Sequence, residues 1–227
     1  MRDRSVAKLG GICSILVGLS YLAIGATFFL LPAEQQPGSP VSFDAFFESV
    51  AGGSTVLVLY CWAFTVGGFV AIAAVPAISD LVRSANEGWI RWTSALAVIG
   101  YAVLAVEYLV LQDEVPRMAA GYIRLDESAR AAIAVVGPLN LNNDGWAGFG
   151  TVGLWLAVVN WLALRGGQWP KALAVIGLIV GIGNGLVIAG FILDSPILIL
   201  ITAGLGGVIL APIWFIWMGV RLRQAGT

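Results

Sequence analysis

Few residues in this 227-residue chain are able to do chemistry, and most of those sit in apolar surroundings. Glu107 is the sole acid within a long hydrophobic run. It lies roughly 8 Å from the centre of that run at 1.5 Å per residue. A carboxylate at such depth is a functional candidate by default, because an unpaired charge in hydrocarbon is expensive. The structural alternative is a residue near a helix end that reaches the interface or pairs with Arg117, Arg124 or Arg130. Asn184 falls almost at the centre of another run, and Thr65, Ser20, Tyr21 and Tyr101 occupy similar depths. These side chains either line a polar cavity at mid-membrane or bond to one another between helices, and interhelical bonding ranks first. Asn160 poses the same choice.

Other chemistry is excluded by what the chain lacks. With no His there is no His-ligated haem, His-based zinc site or Ser-His-Asp triad. Lys8 and Lys171 stand at the ends of apolar segments, which argues against an intramembrane Schiff base. Cys13 and Cys61 lie within apolar runs and form neither a CxxC pair nor a disulfide framework. A net charge of −1 leaves no basic footprint for nucleic acid. Asn140, Asn142, Asp144 and Gly145 match the opening of a calcium loop, but position 12 is Thr151, and Asp144 reads better as the N-cap of the helix that follows. No metal and no cofactor is expected.

The elements that must position these residues follow from composition. Hydrophobic residues are 59% of the chain and charged residues 11%, with a mean hydropathy of +0.92. A soluble domain is about one quarter charged, so most of this chain cannot face water. Six runs reach the roughly 20 apolar residues a bilayer demands: 9–31, 54–76, 92–111, 146–164, 172–193 and 197–220. They are continuous rather than alternating, so the spans are helices and not barrel strands. The expected fold is all-α, a six-helix transmembrane bundle forming one domain over 1–227. The first run is too long for a secretory h-region and is followed by no small-residue cleavage site, so it reads as an uncleaved span.

Between the spans, Ser42 can cap a short amphipathic helix over 43–50 in the first external loop, with Phe46, Phe47 and Val50 laid on the membrane surface. The second external loop, 112–145, should hold a helix over 126–136 ended by Gly137-Pro138. Gly177, Gly181 and Gly185 form a small-residue face, predicted to pack the fifth span closely on the sixth. Pro212 should kink the last span. Trp89, Trp92, Trp146 and Trp169 mark an aromatic belt at the segment ends. Trp155, Trp161, Trp214 and Trp217 read as facing lipid or packing seams. A faint internal echo aligns Lys8 with Lys171, Gly18 with Gly181 and Phe28 with Phe191, and repeats of this kind recur in transporters.

Three stretches carry a resemblance: AKLGGICSILVGLSYLAIG near the start, GFGTVGLWLAVVNWLALRGGQWPKALAVIGLIVGIG in the middle and PIWFIWMGVRLR at the end. In them the chain resembles the DUF4386-type family of bacterial polytopic membrane proteins. The resemblance implies the architecture and attaches no activity to it. Members of that family often carry a His before the fourth span, where this chain has Leu139-Asn140.

The functional classes left open are three. A non-enzymatic binding or assembly role ranks first, with the lipid bilayer and either a membrane-protein partner or a second copy of the chain as partners. A small proton-coupled transporter would use Glu107 and a midplane polar cavity. A membrane enzyme acting on a lipid-like or quinone-like substrate would draw on Asp113, Glu114, Asp126 and Glu127. With the N-terminus in the cytoplasm, nine cations fall inside and Arg117, Arg124 and Arg130 outside, which orients both termini to the cytoplasm of a bacterial inner membrane. Cysteines placed at Ser39 and Ser128 should therefore react with an impermeant maleimide in intact cells; protection of both would reverse the orientation.

Overall fold

The computed structural model describes residues 4–37, 39, 41–136 and 145–225. Among them every regular element is helical. The helices are α1 (Arg4–Leu30), α2 (Phe43–Gly52), α3 (Thr55–Val82), α4 (Glu87–Tyr122), α5 (Glu127–Val136), α6 (Thr151–Gly166), α7 (Lys171–Ile192), α8 (Pro196–Ile201) and α9 (Ala211–Ala225). A π-helical turn, Trp146–Gly150, leads into α6, and a π-helical run, Thr202–Leu210, joins α8 to α9. Six of the resulting helices are long and apolar enough to cross a membrane, as the run lengths predict. Local chemistry sets their ends. The Ser42 hydroxyl accepts the Ala45 N–H, and the Asn86 amide oxygen accepts that of Trp89. Asp126 accepts from the Ala129 N–H and the Ser128 hydroxyl, and both bonds hold its carboxyl below the usual range. Gly167, at φ 66°, ends α6 in the left-handed conformation that favours glycine.

The spans follow one another around a ring: α1 on α3, α3 on α4, α4 on α6, α6 on α7, α7 on the π-helical run, and α9 back on α1. Small residues permit the tightest crossings. A Cβ on Gly11 would stand 2.9 Å from the Gly219 carbonyl, and one on Gly219 would stand 2.6 Å from that of Gly11. The ring closes on a core in the half nearer the two termini, where Trp155, Trp214 and Phe215 are fully buried. Buried indole N–H groups need partners, and both have one. Trp155 donates to the Ser79 hydroxyl at 2.9 Å, and Trp214 donates to the Asn160 amide oxygen at 3.0 Å. Asn160 in turn donates to the Leu156 carbonyl at 2.8 Å. Asn160 is thus a bond between helices.

Several expectations need correction. The Gly177, Gly181 and Gly185 face does not serve the last span as a unit. Gly181 packs on α6, where a Cβ would meet Ala157 N at 2.6 Å and Gly153 O at 2.9 Å. Gly177 sits against both Asn160 and Trp214, while Gly185 has nothing within 4 Å. Short connections made these glycines look like the seam of the α7–α8 hairpin, but Gly181 faces α6, and the close approach within the hairpin is at Gly190, where a Cβ would meet Ile199 N at 3.2 Å. The apolar face of α2 is taken up largely by protein. Its Phe47 and Val50 are buried, because α4 runs on past residue 111 to Tyr122 and offers a protein surface instead. The Phe47 and Tyr122 rings lie 4.6 Å apart, and the Tyr122 hydroxyl donates to Asp44 at 2.8 Å. Trp169 is 4% exposed and belongs to the core rather than the belt, whereas Trp89, Trp92 and Trp146 are exposed. Pro212 cannot donate to the Val208 carbonyl, and the disturbance takes the form of the π-helical run that ends just before it. The calcium-like stretch with Asp144, and the Gly137-Pro138 stop, lie outside the described residues.

Gly181→Leu should lower the melting temperature in detergent, by about 1–3 kcal/mol of overpacking, while Gly185→Leu should leave it unchanged; equal effects would contradict the α6 contact. Asn160→Leu leaves the buried Trp214 N–H unpaired and should cost about 1–3 kcal/mol, read in the same unfolding assay. The Asn160→Leu/Trp214→Phe double variant should recover part of that loss.

Candidate functional site

A cavity of about 390 Å³ occupies the half of the ring away from the termini. It reaches from the loop after α1, at Gln36, Pro37 and Ser39, down to Asn184 and Val180 in the middle of α7. Its volume is within the range of small-molecule sites, about 300–1,000 Å³. Helical periodicity makes two of its walls. Tyr21, Ile24 and Phe28 recur at i, i+3 and i+7 on α1, and Asn184, Val187 and Phe191 recur in the same pattern on α7. A third wall comes from α3 and α4. The Phe64 and Tyr108 rings stack with centroids 4.0 Å apart and planes 6° from parallel, and Tyr60 meets both edge-on. The fourth wall is the π-helical run. A Cβ on Gly204, Gly206 or Gly207 would have nothing within 4 Å, so these glycines leave the space open rather than packing a neighbour. Among the described residues no Lys, Arg, Asp or Glu is on the wall.

The residues singled out from the sequence divide between wall and packing. Tyr21 lines the cavity and stacks on Phe215 at 5.7 Å. Asn184 lines it too, with one amide N–H donating to the Val180 carbonyl at 3.1 Å. Tyr101 is buried beside Tyr21, and its hydroxyl has no hydrogen-bond partner. Thr65 is buried away from the wall and donates to the Cys61 carbonyl at 3.0 Å. Glu107 is half-buried on α4 and is not a wall residue, although its chain neighbour Tyr108 is. Gly177, Gly181 and Gly185 are not wall residues. The structure therefore brings Tyr21 and Asn184 to one cavity with Tyr101 behind it, and leaves Thr65 and Glu107 off the wall.

Sequence reasoning missed Tyr60, Phe64, Tyr108 and the Gly204–Gly207 stretch. Tyr60 and Phe64 stand at i and i+4, a signal that marks one helix face but not what the face opens onto. The glycines of the last span read as another packing stripe, because a stripe that packs and a stripe that leaves space look alike in a sequence. On the loop-side surface, Arg130 lies 3.8 Å from both Asp44 and Glu48 and donates to the Ile123 carbonyl at 2.9 Å, so α5 is held against α2 and the end of α4. Arg117 pairs with Asp113 one turn away. Among the described residues no group of three or more His, Cys, Asp or Glu gathers as a metal site.

No curated protein and no solved structure matches this chain. Over residues 12–219 it matches the family described as a domain of unknown function, DUF4386, a stretch that takes in nearly all of the ring from α1 to α9. The chain is a polytopic membrane protein and belongs to the DUF4386 family.

Proposed function

We propose that the protein is a non-enzymatic membrane binding protein whose helical ring holds an uncharged, mostly apolar molecule within the bilayer. The observation that carries this reading is the cavity: aromatic walls, a few neutral polar groups and no ionised side chain. An ionic ligand would be left without a counter-charge in a low-dielectric space, at a cost of several kcal/mol. A neutral ligand meets no such penalty. The cavity lies on the side of the bundle opposite both termini, and the nine-to-three division of cations orients that side outward from a bacterial inner membrane. Binding needs no titratable group, which agrees with a wall that lacks Glu107.

The glycines of the π-helical run supply the test. Gly206→Leu projects a side chain into open space, clashes with nothing, and replaces glycine by a better helix former. It should therefore fill the cavity while keeping the fold. Native mass spectrometry of protein purified in mild detergent should show a retained apolar species on the natural chain and none on Gly206→Leu, at equal melting temperature. A natural chain that carries nothing, together with an identical spectrum for the variant, would reject the reading.

A further inference from the structure

We infer that the ligand is a quinone with an apolar tail, its ring between the tyrosines and Asn184 and its tail running out between α1 and α8; this rests on the binding reading above. Four features of the cavity point to that chemistry.

The first is an excess of hydrogen-bond donors. Tyr60 and Tyr108 stand beside one another, as do Tyr21 and Tyr101. Two adjacent phenols can satisfy at most one O–H between them, so each pair keeps one for something else. Asn184 gives one N–H to the Val180 carbonyl and keeps the other. The Thr202 hydroxyl, by contrast, is taken up by the Leu198 carbonyl at 2.6 Å. A quinone brings two carbonyl oxygens able to accept from these donors, and no donor of its own.

The second is shape. The stacked Phe64–Tyr108 pair, with Tyr60 meeting it edge-on, makes one wall of the cavity aromatic. Aromatic faces are electron-rich, and a quinone ring is flat and electron-poor. A saturated chain fits such a surface by dispersion alone. The third is charge: the wall has none, and a quinone needs none. The fourth is the way out. At the loop-side end the wall continues through Phe29, Ile197 and Leu200, which are 70%, 72% and 58% exposed. These residues face both the cavity and the lipid side, so a tail leaving there would stay in hydrocarbon.

The probes are decylubiquinone and, as a control with the same tail and no ring, 1-decanol. Each is added at equal concentration to the natural chain in mild detergent, and the fraction of protein carrying the added mass is read by native mass spectrometry. Decylubiquinone should bind and 1-decanol should not compete with it. Tyr60→Phe/Tyr108→Phe keeps both rings, removes both hydroxyls, and should weaken decylubiquinone about three- to tenfold, the effect of losing one net hydrogen bond. Asn184→Leu is a second variant for the case in which the double substitution does not fold, since Asn184 bonds only to its own helix. Gly206→Leu should abolish binding of either probe. Equal binding of the two probes, or decylubiquinone binding unaffected by every one of the polar variants, overturns the quinone assignment and leaves the binding reading standing. Failure of both probes on a natural chain that also carries no species of its own removes both together.

Discussion

In hydrocarbon no water is present to pair a polar group, so a donor left without a partner in the protein is costly. That cost decides the helical fold, and it also decides what the polar side chains do. Within the spans the same solution recurs: the side chain turns back to the carbonyl four residues earlier. Thr27 bonds to Ala23, Thr65 to Cys61, Thr93 to Trp89, Thr151 to Ala147, Asn160 to Leu156, Asn184 to Val180 and Thr202 to Leu198. A threonine paired in this way has no proton left for anything outside its own helix, whereas the amide of Asn160 still accepts from Trp214. The tyrosines are too long to reach back along their own helix. They gather beside the cavity instead, and this is why the neutral polar chemistry collects there.

The ring that encloses the cavity gives new content to the likeness between α1 and α7. Under the alignment of Lys8 with Lys171, Tyr21, Ile24 and Phe28 fall on Asn184, Val187 and Phe191, and all six are wall residues. Both helices flank the last span, α1 against α9 and α7 against the π-helical run and α9. The shared pattern therefore expresses a shared position: two helices, each packed on one side and lining the cavity on another. Their packing faces differ. Gly11 and Gly18 approach α9, while Gly181 approaches α6.

The spans were legible because length and continuity of apolar residues are one-dimensional properties, and the bilayer imposes them directly. The cap at Ser42 was legible for the same reason, since a cap is local, and so was the helix that begins at Asp126. What the sequence could not give was partnership. Gly181 announces a close approach without naming the helix approached. Trp169 sits at a segment end like the belt tryptophans, but its burial depends on how α6 and α7 join. The docking of α2 was hidden behind the end of α4: a charged stretch beginning at Asp113 reads as loop by composition, yet it stays helical to Tyr122. Of the candidate site, Tyr21 and Asn184 were visible as polar residues at depth. Tyr60, Phe64 and Tyr108 were not, because nothing in an apolar aromatic residue distinguishes a wall from a core.

At 36 residues, α4 is about 54 Å long, against a hydrocarbon layer of about 30 Å. One end is clasped by Asp44 and, through Tyr122, by the Arg130 guanidinium 5.3 Å above its ring, and Tyr108 lies fourteen residues back along the same rod. One continuous helix thus ties the layer of α2 and α5 to the cavity wall. Pro116 interrupts the rod between the two, at the point where the Gln112 carbonyl has lost its helical donor. Of the fourteen residues between the clasp and the wall, Pro116 is where the rod is cheapest to bend.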